Sequence, residues 1–193
     1  VTQTGGGRIL ADNGVVLQNG MRVTGGEINS ANGGTFRVNS SAANFLDGVT
    51  VNGTLDMATV ASSRERVQNG LVLNGAVNIN QNGILSFEGS TTLSGTGSIV
   101  LGATGAGNRI DLDLSGTTTF GSGITVRGQN GTIGQQINVG GTQTLVNQGT
   151  ISADVAGGVI TITESAIQNS GTLSAMNGGT LVLSSNVTGL TGG

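Results

Sequence analysis

A short unit bounded by glycine recurs along this chain at intervals of roughly 22 residues. In one form of the unit, a polar residue and Gly precede two apolar residues separated by one other residue, and a polar residue and Gly follow. This form occurs at four places, 19–25, 47–53, 69–75 and 122–128. The alternation places the apolar side chains on one side of a β-strand. The glycine pairs allow the positive φ values of sharp turns, so the unit predicts short strands separated by tight corners.

Two further landmarks recur with the first. One is Gly, a small residue and an aliphatic residue, and the commonest spacing between its copies equals the period of the first unit. The aliphatic positions are Ile28, Leu55, Val77, Ile99, Ile133, Ile151 and Leu173. The other is Gly-Gly followed by an alternating strand, at 33–38, 157–162 and 178–183. Three kinds of strand in a common period predict three strands in each repeat.

Short strands at this spacing fit either an antiparallel sandwich or a solenoid. The same side-chain class returns at the same place in each unit, which favours strands wound round an axis and stacked in parallel. We therefore predict a right-handed parallel β-helix (a β-solenoid), one domain over 1–193, with about eight coils of roughly 22 residues. Asn52 and Asn74 are expected to stack on each other at one corner, with Asn19 or Asn147 as further members.

Two segments interrupt the period. The long interval from Ile99 to Ile133 holds either two short coils or one coil with a protruding loop, and the glycines and alanines of 103–108 favour a loop excursion there. A second loop excursion is expected near 58–66, which contains the charge cluster Arg64-Glu65-Arg66.

Composition argues against most familiar catalytic chemistry. The chain has no His, Cys, Trp, Tyr or Pro, and its seven basic residues are all Arg. It therefore lacks an imidazole base, a thiolate ligand and a lysine nucleophile. We predict no catalytic, cofactor-binding or metal-binding residues, and no enzyme activity. A net charge of −3 offers nothing to attract nucleic acid, and no apolar run is long enough for insertion into a membrane.

Segments rich in Gly, Thr, Asn and Leu recur at 53–57, 71–75, 93–97, 145–152 and 169–173. In these segments the chain resembles the passenger segments of large bacterial surface proteins of the filamentous-haemagglutinin and autotransporter-adhesin type. The resemblance implies export, display at a bacterial cell surface or secretion, and a role in adhesion or matrix building. The expected function is a non-catalytic structural or adhesive rod.

Two other functions compete with the rod. Asp111 and Asp113 lie two residues apart on a predicted strand, a spacing that places both carboxylates on one face, as a carbohydrate-cleaving β-helix would require. We expect instead that Ile110, Leu112 and Leu114 point inward while the two aspartates merely solvate the outer face. The Thr runs at 117–119 and 161–163 suggest the flat threonine array of an ice-binding solenoid, but ordinary strand propensity also explains them.

The expected partners are further copies of the rod or carbohydrate of a host surface or matrix. A coil at the end of a solenoid exposes strand edges and core side chains, which favours end-to-end association. The last unit is as regular as the one before it, so coils are expected to continue past the segment. Val72 and Val182 are expected to point outward and could support lateral association if they lie on one face.

Overall fold

A computed structural model describes Thr2 and residues 6–104, 107–134 and 139–189. The described chain is all β, and its parallel sheets stack as a β-solenoid of about eight turns of roughly 22 residues. This confirms the predicted class of fold. The described residues form no helix capable of crossing a membrane.

The strands are short because a glycine or a polar corner interrupts the chain every few residues. In the first half they are β1 (Arg8–Asp12), β2 (Val15–Gln18), β3 (Arg22–Thr24), β4 (Glu27–Ala31), β5 (Thr35–Val38), β6 (Phe45–Val51), β7 (Thr54–Met57), β8 (Arg64–Leu73), β9 (Ala76–Ile79), β10 (Ile84–Glu88), β11 (Thr91–Ser94) and β12 (Ser98–Leu101). In the second half they are β13 (Arg109–Asp113), β14 (Gly116–Phe120), β15 (Thr125–Gly128), β16 (Asn130–Ile133), β17 (Gln143–Asn147), β18 (Thr150–Ala153), β19 (Val159–Ile162), β20 (Ala166–Asn169), β21 (Thr172–Ala175), β22 (Thr180–Leu183) and β23 (Val187–Thr188).

These strands form three faces, and each turn contributes one strand to each face. Face 1 contains β1, β4, the second halves of β6 and β8, then β11, β14, β17, β20 and β23. Face 2 contains β2, β5, β7, β9, β12, β15, β18 and β21. Face 3 contains β3, the first halves of β6 and β8, then β10, β13, β16, β19 and β22. Strands β6 and β8 thus each run round the corner from face 3 to face 1.

All named strand pairs are parallel, which excludes the sandwich for the described chain. Val49 on β6 pairs with Leu71 on β8, one repeat later in the chain, without a hairpin between them. The same offset of one repeat relates β7 to β9 and β9 to β12 on face 2. The offset is longer between Asn130 and Val159, where a larger connection intervenes.

The core consists of columns of aliphatic side chains that run along the solenoid axis. On face 2 the column is continuous over eight strands, and its six interior members are at most 1% exposed. Its members are Val16, Phe36, Leu55, Val77, Ile99, Val126, Ile151 and Leu173. Burial of each such side chain stabilises the fold by about 1.5–3 kcal/mol, so the columns supply the main driving force for stacking.

Glycine is required at the corner between faces 1 and 2 because successive turns touch there. A Cβ on Gly75 would lie 1.9 Å from the carbonyl oxygen of Gly53, one turn earlier. The chain therefore repeats Gly, a small outward residue and a buried aliphatic at this corner. This is the physical basis of the second sequence landmark, which correctly marks Leu55 and Val77.

Two members assigned to that landmark belong elsewhere. Ile28 lies on face 1 in β4, and Ile133 lies on face 3 in β16. The face-2 residue that follows Ile99 is Val126, its partner on β15. The long interval from Ile99 to Ile133 therefore consists of one longer turn plus a change of face, and not of two short coils.

The first and third sequence landmarks also occur at corners, but neither identifies which of the three corners a segment forms. Segment 122–128 contributes to face 2 through β15, whereas 47–53 and 69–75 contribute their apolar pairs to face 1. Segment 33–38 lies on face 2, but the similar 157–162 lies on face 3. Each corner needs the same turn residues, so the same local sequence serves all three faces.

The excursions differ from those expected. Segment 58–66 is a compact turn over 58–63, and its last three residues begin β8. Segment 103–108 does connect β12 to β13, although residues 105–106 lie outside the described part. The sequence did not predict a third connection, 134–142 between β16 and β17, and its residues 135–138 also lie outside the described part.

Asparagine side chains stack at the corners as predicted. Asn74 Nδ2 donates to Asn52 Oδ1 (2.9 Å), and Asn52 Nδ2 donates to Asn29 Oδ1 (3.0 Å). Asn19 and Asn147 do not join this ladder. Asn147 instead donates to Asn169 (2.7 Å), and Asn19 accepts from the Asn of the next turn, Asn39.

Candidate functional site

The two aspartates singled out in the sequence lie on β13, at the outer side of face 3. Asp111 is level with Ser86 of β10, and Asp113 is level with Glu88. Their side chains alternate with the core residues Ile110 and Leu112, as predicted. Both carboxylates, however, have 0% exposure. The expectation that they solvate the outer face is therefore wrong.

Burial of this pair follows from what packs over β13. Ser86 Oγ donates to Asp113 Oδ2 (2.5 Å), and Val139 N lies 3.5 Å from Asp113 Oδ1. Val139 belongs to the connection between β16 and β17 and also accepts from Leu114 N (3.4 Å). A connection that packs over a strand shields its outward side chains from solvent. The alternation of residues along the strand does not reveal such shielding.

Leu114 does not point into the core as expected. Strand β13 ends at Asp113, and Leu114 has a φ of +62° with a side chain that is 37% exposed. A left-handed residue after the strand breaks the alternation that would have turned its side chain inward.

Glu164 completes an acidic cluster with Asp111 and Asp113. It follows β19, its side chain is 1% exposed, and its Oε2 accepts from Ser165 N (3.3 Å). The glycine at 134 makes room for it, because a Cβ there would lie 2.6 Å from Oε1. Glu164 lies far from Asp113 in the chain. Nothing in its local sequence signals this meeting.

Burial dominates the electrostatics of the acidic cluster. It raises the pKa of Asp111 to about 7, an effect opposed by the nearby charge of Arg109 and reinforced by that of Asp113. It also raises the pKa of Glu164 to about 7, with a backbone hydrogen bond from Ser165 opposing and the charges of Asp111 and Asp113 adding to the rise. Both groups can exchange protons near neutral pH.

Hydrogen bonding within this region is incomplete. Arg109 Nη2 donates to Asp111 Oδ2 at 3.1 Å, and both side chains are at most 8% exposed. Buried atoms without a hydrogen-bond partner among the described residues include Asp111 Oδ1, Glu164 Oε1, Arg109 Nε and Arg64 Nε. Buried polar groups are normally paired, so this region carries an energetic penalty. Within the described part of the chain, no three acidic residues are arranged to hold a metal ion.

A different charged arrangement, the arginine ladder, occupies the outer side of face 3 in the first turns. The ring of Phe45 lies between two guanidinium groups, with Arg22 Cζ at 4.2 Å and Arg66 Cζ at 4.3 Å from its centroid. Arg22 Nη1 donates to Asp47 Oδ2 at 2.8 Å. Arg66 Nε donates to Glu88 Oε1. Each guanidinium of the ladder thus has both an aromatic and an anionic neighbour.

Gln68 links the two ion pairs of the arginine ladder. Its Oε1 accepts from Arg22 Nη1 (2.8 Å), and its Nε2 donates to Glu88 Oε2 (2.6 Å). The result is a row of side chains across consecutive turns in which charge and hydrogen bonding are matched.

Glu65, which the sequence placed in a loop cluster, points into the core. It is level with Leu85 of β10 and has 0% exposure. Its Oε1 accepts from Gln18 Nε2 at 3.4 Å, while Oε2 has no partner among the described residues. Burial raises the pKa of Glu65 well above its ordinary value, against the opposing hydrogen bonds from Arg66 and Gln18.

The threonine runs lie on different faces. Thr117 and Thr119 point outward on face 1, and Thr118 between them is buried. Thr161 and Thr163 lie beside a cavity of about 490 Å³ on face 3 that Glu164 also lines. A second cavity of about 520 Å³ on face 1 is lined by residues that include Thr119. The runs therefore do not form one continuous array.

The exposed apolar residues Val72 and Val182, which were predicted to point outward, do not align. Val72 is outward on face 1 and Val182 on face 3. At the last complete turn, the inward Leu183 is 44% exposed, whereas Ile162 one turn earlier is fully buried. Core columns are thus accessible at this end of the described stack.

Comparison with known proteins identifies no relative. No protein-family model matches the chain, no curated protein matches it, and no solved structure matches it. The structure and the chemistry of its surfaces are therefore the basis for a functional proposal.

Proposed function

We propose that the chain forms a non-catalytic rod with a structural or adhesive role outside a bacterial cell, either on the surface or secreted. The observation that carries this proposal is the uninterrupted stack of turns with continuous buried columns. Stacking at about 4.8 Å per turn extends the eight turns over roughly 40 Å. The fold produces length and a repeated surface, which are the properties that a scaffold or adhesin needs.

The side-chain ladders support a stiff rod. The asparagine ladder through Asn29, Asn52 and Asn74 ties three successive turns together at one corner. The arginine ladder does the same on face 3 across β3, β6, β8 and β10. Because the ladder contacts join side chains one or two turns apart, bending of the axis would strain many contacts at once.

Self-association through stacked turns is the interaction that this architecture favours. The last complete turn presents the partly exposed core residues Leu173, Leu181 and Leu183 together with open strand edges. A further turn placed on it in the same parallel register would continue every column and every strand ladder. Matrix or surface carbohydrate is the second class of partner, since the hydroxyl-lined cavities on faces 1 and 3 offer hydrogen-bonding groups.

A carbohydrate-cleaving role for Asp111 and Asp113 has less support. Such a reaction requires a carboxyl group that the substrate reaches within hydrogen-bond distance. Both groups are fully buried in the structure. Ice binding likewise requires threonines in register on one flat face, whereas the two runs lie on faces 1 and 3.

Small-angle scattering and negative-stain imaging of the purified chain test the rod. We expect elongated particles of roughly 40 Å along the axis, or multiples of that length that shorten on dilution. Sedimentation at several concentrations separates the single rod from the stacked one. Compact particles whose scattering shows no elongation would contradict the proposal.

A further inference from the structure

The acidic cluster joins three successive turns of the solenoid. Asp111 and Asp113 belong to β13, and Glu164 follows β19, two turns further along face 3. Strand β16 lies between β13 and β19, and Glu164 packs against Gly134, the residue that follows β16. A change in the charge of these carboxyl groups therefore acts on the contacts that hold the three turns together.

We propose that the acidic cluster is a pH-sensitive section of the rod, closed when Asp111 and Glu164 are protonated and locally open when they are ionised. The inference goes beyond the proposed scaffold role and holds whether or not the rod is adhesive. It locates the part of the stack that yields first when the surroundings become alkaline.

The geometry explains why ionisation is costly here. Asp111 Oδ1 and Glu164 Oε1 are buried without a hydrogen-bond partner among the described residues. A protonated carboxyl tolerates that environment better than an anion does, because an unpaired buried charge has lost its hydration. Opening of the local contacts restores water to both groups.

The surrounding charges do not remove this cost. Asp111 has Arg109 and Arg64 as cationic neighbours, but also the negative charge of Asp113. The charges that act on Glu164 are those of Asp111 and Asp113, and both are unfavourable.

The elements packed against the cluster leave this balance of charge unchanged. Glu88, the acidic residue of β10 level with Asp113, is already paired with Arg66. Strand β16 contributes the non-titrating Asn130 and Thr132, and the described part of the covering connection, 139–141, contains no titratable side chain.

The direction of the effect follows from the raised pKa values. Asp111 and Glu164 have a pKa of about 7 in the closed turns. Their values in water lie near 4, so the closed form binds more protons. The closed form is thus fully favoured at acidic pH, and its advantage is lost as pH rises through about 7.

Hydrogen–deuterium exchange of the whole chain tests the proposal, after correction for the intrinsic pH dependence of exchange. Between pH 6 and 8 we expect the opening equilibrium of β13, β16 and β19 to rise about tenfold for each carboxyl group that ionises. Strands β3 and β6, which carry the arginine ladder, serve as the internal reference in the Glu65→Gln variant, where the buried acid beside them no longer titrates, and should change little there. The double variant Asp111→Asn, Glu164→Gln should remove the rise in β13, β16 and β19.

Two further measurements keep the result decisive. Glu65→Gln replaces a buried acid outside the cluster with a side chain that does not titrate, and it should leave the rise in β13, β16 and β19 intact. If the double variant fails to fold, carbon-13 NMR titration of the wild-type carboxyl groups replaces it. Titration of Asp111 and Glu164 near their ordinary values, or equal pH effects on β3 and β13 in the Glu65→Gln variant, would overturn the proposal.

Discussion

The outer side of face 3 carries charged residues in two regions, and the regions differ in how those charges are accommodated. In the arginine ladder, side chains such as Arg22 and Arg66 retain 40% and 24% exposure, and each has an acidic partner. In the acidic cluster, Asp111 and Glu164 are at most 1% exposed and keep unpaired oxygens. Both regions stack polar residues on the same face of consecutive turns.

This contrast shows that the energetic cost of a charge on the outer side of a strand depends on whether another segment packs over it. The strand itself does not determine that cost. Arg22 and Asp111 occupy equivalent outward positions on face 3. The ladder region is open to water, which hydrates any charge that its partners leave unsatisfied. Around Asp113 the connection containing Val139 packs against β13. Water is excluded there, so each missing hydrogen bond has its full cost.

The largest difference in stability is expected between two variants that each remove one arginine, one from each region. Arg109→Met should lower the free energy of unfolding by about 3–5 kcal/mol at pH 8, because it leaves the buried Asp111 carboxylate without its nearest cation. Arg22→Met should cost about 1 kcal/mol or less, since its ion pair is partly exposed. Urea unfolding of both variants measures the two values.

A compensating variant checks the origin of the Arg109 effect. Arg109→Met combined with Asp111→Leu removes both partners and should recover most of the lost stability. The loss in Arg109→Met should also be smaller at pH 5, where Asp111 takes up a proton. Equal losses for Arg109→Met and Arg22→Met would contradict the contrast between the two regions.

A second effect, of intermediate size, is the dependence of global stability on pH. Because burial raises the pKa of Asp111 and Glu164 to about 7, we expect the chain to be more stable at pH 5 than at pH 8, by about 2–3 kcal/mol for each of the two groups. Asp56 on face 2 changes the stability with pH in the opposite direction. Burial raises its pKa, but hydrogen bonds from Thr59 and Arg37 and from backbone amides outweigh burial and lower it.

Asp56 adds to the free energy of unfolding at pH values above its pKa in the unfolded chain, which is near 4. This added stability is lost as the pH falls through the lower pKa that Asp56 has in the folded chain. Thermal melts from pH 3 to pH 9 should therefore show maximum stability in mildly acidic solution. Asp111→Asn with Glu164→Gln should reduce the loss of stability on the alkaline side, to which Glu65 still contributes, and leave the acidic side unchanged. A flat wild-type profile between pH 5 and 8 would count against the raised pKa values.

The weakest of these effects concerns the aromatic member of the arginine ladder. Phe45→Leu should cost about 1–2 kcal/mol, because two guanidinium groups lose their contact with the ring face. A double-mutant cycle with Arg22→Met isolates one of the two contacts, and its coupling energy should be about 0.5–1 kcal/mol. Zero coupling would mean that Phe45 contributes by packing alone.

Much of the fold followed from local patterns that have a steric basis. The repeat of Gly, a small residue and an aliphatic correctly marked Leu55, Val77 and Leu173, because that corner has no room for a Cβ. The stacking of Asn52 and Asn74 was predicted from the period, because residues one period apart occupy the same corner. The period also predicted the parallel register of Val49 with Leu71.

The wrong sequence predictions concern segments whose local pattern is the same although they lie on different faces of the solenoid. Ile28 and Ile133 follow a glycine as Leu55 does, yet they belong to other faces, because all three corners use similar turn residues. Glu65 was treated as part of a surface charge cluster, although strand alternation within β8 turns it inward beside Leu85. The start of β8 could not be located from the charged run Arg64-Glu65-Arg66.

The order of residues along the chain dictated which short segments alternate, where the backbone must turn and how often the unit returns. These properties depend on residues close together in the chain. The face that each strand joins, and the outward slots that are closed to water, were set by packing between turns. Asp111 is buried, and Glu164 comes near it, because turns distant in sequence pack together, and contacts of that kind leave no mark on either local pattern.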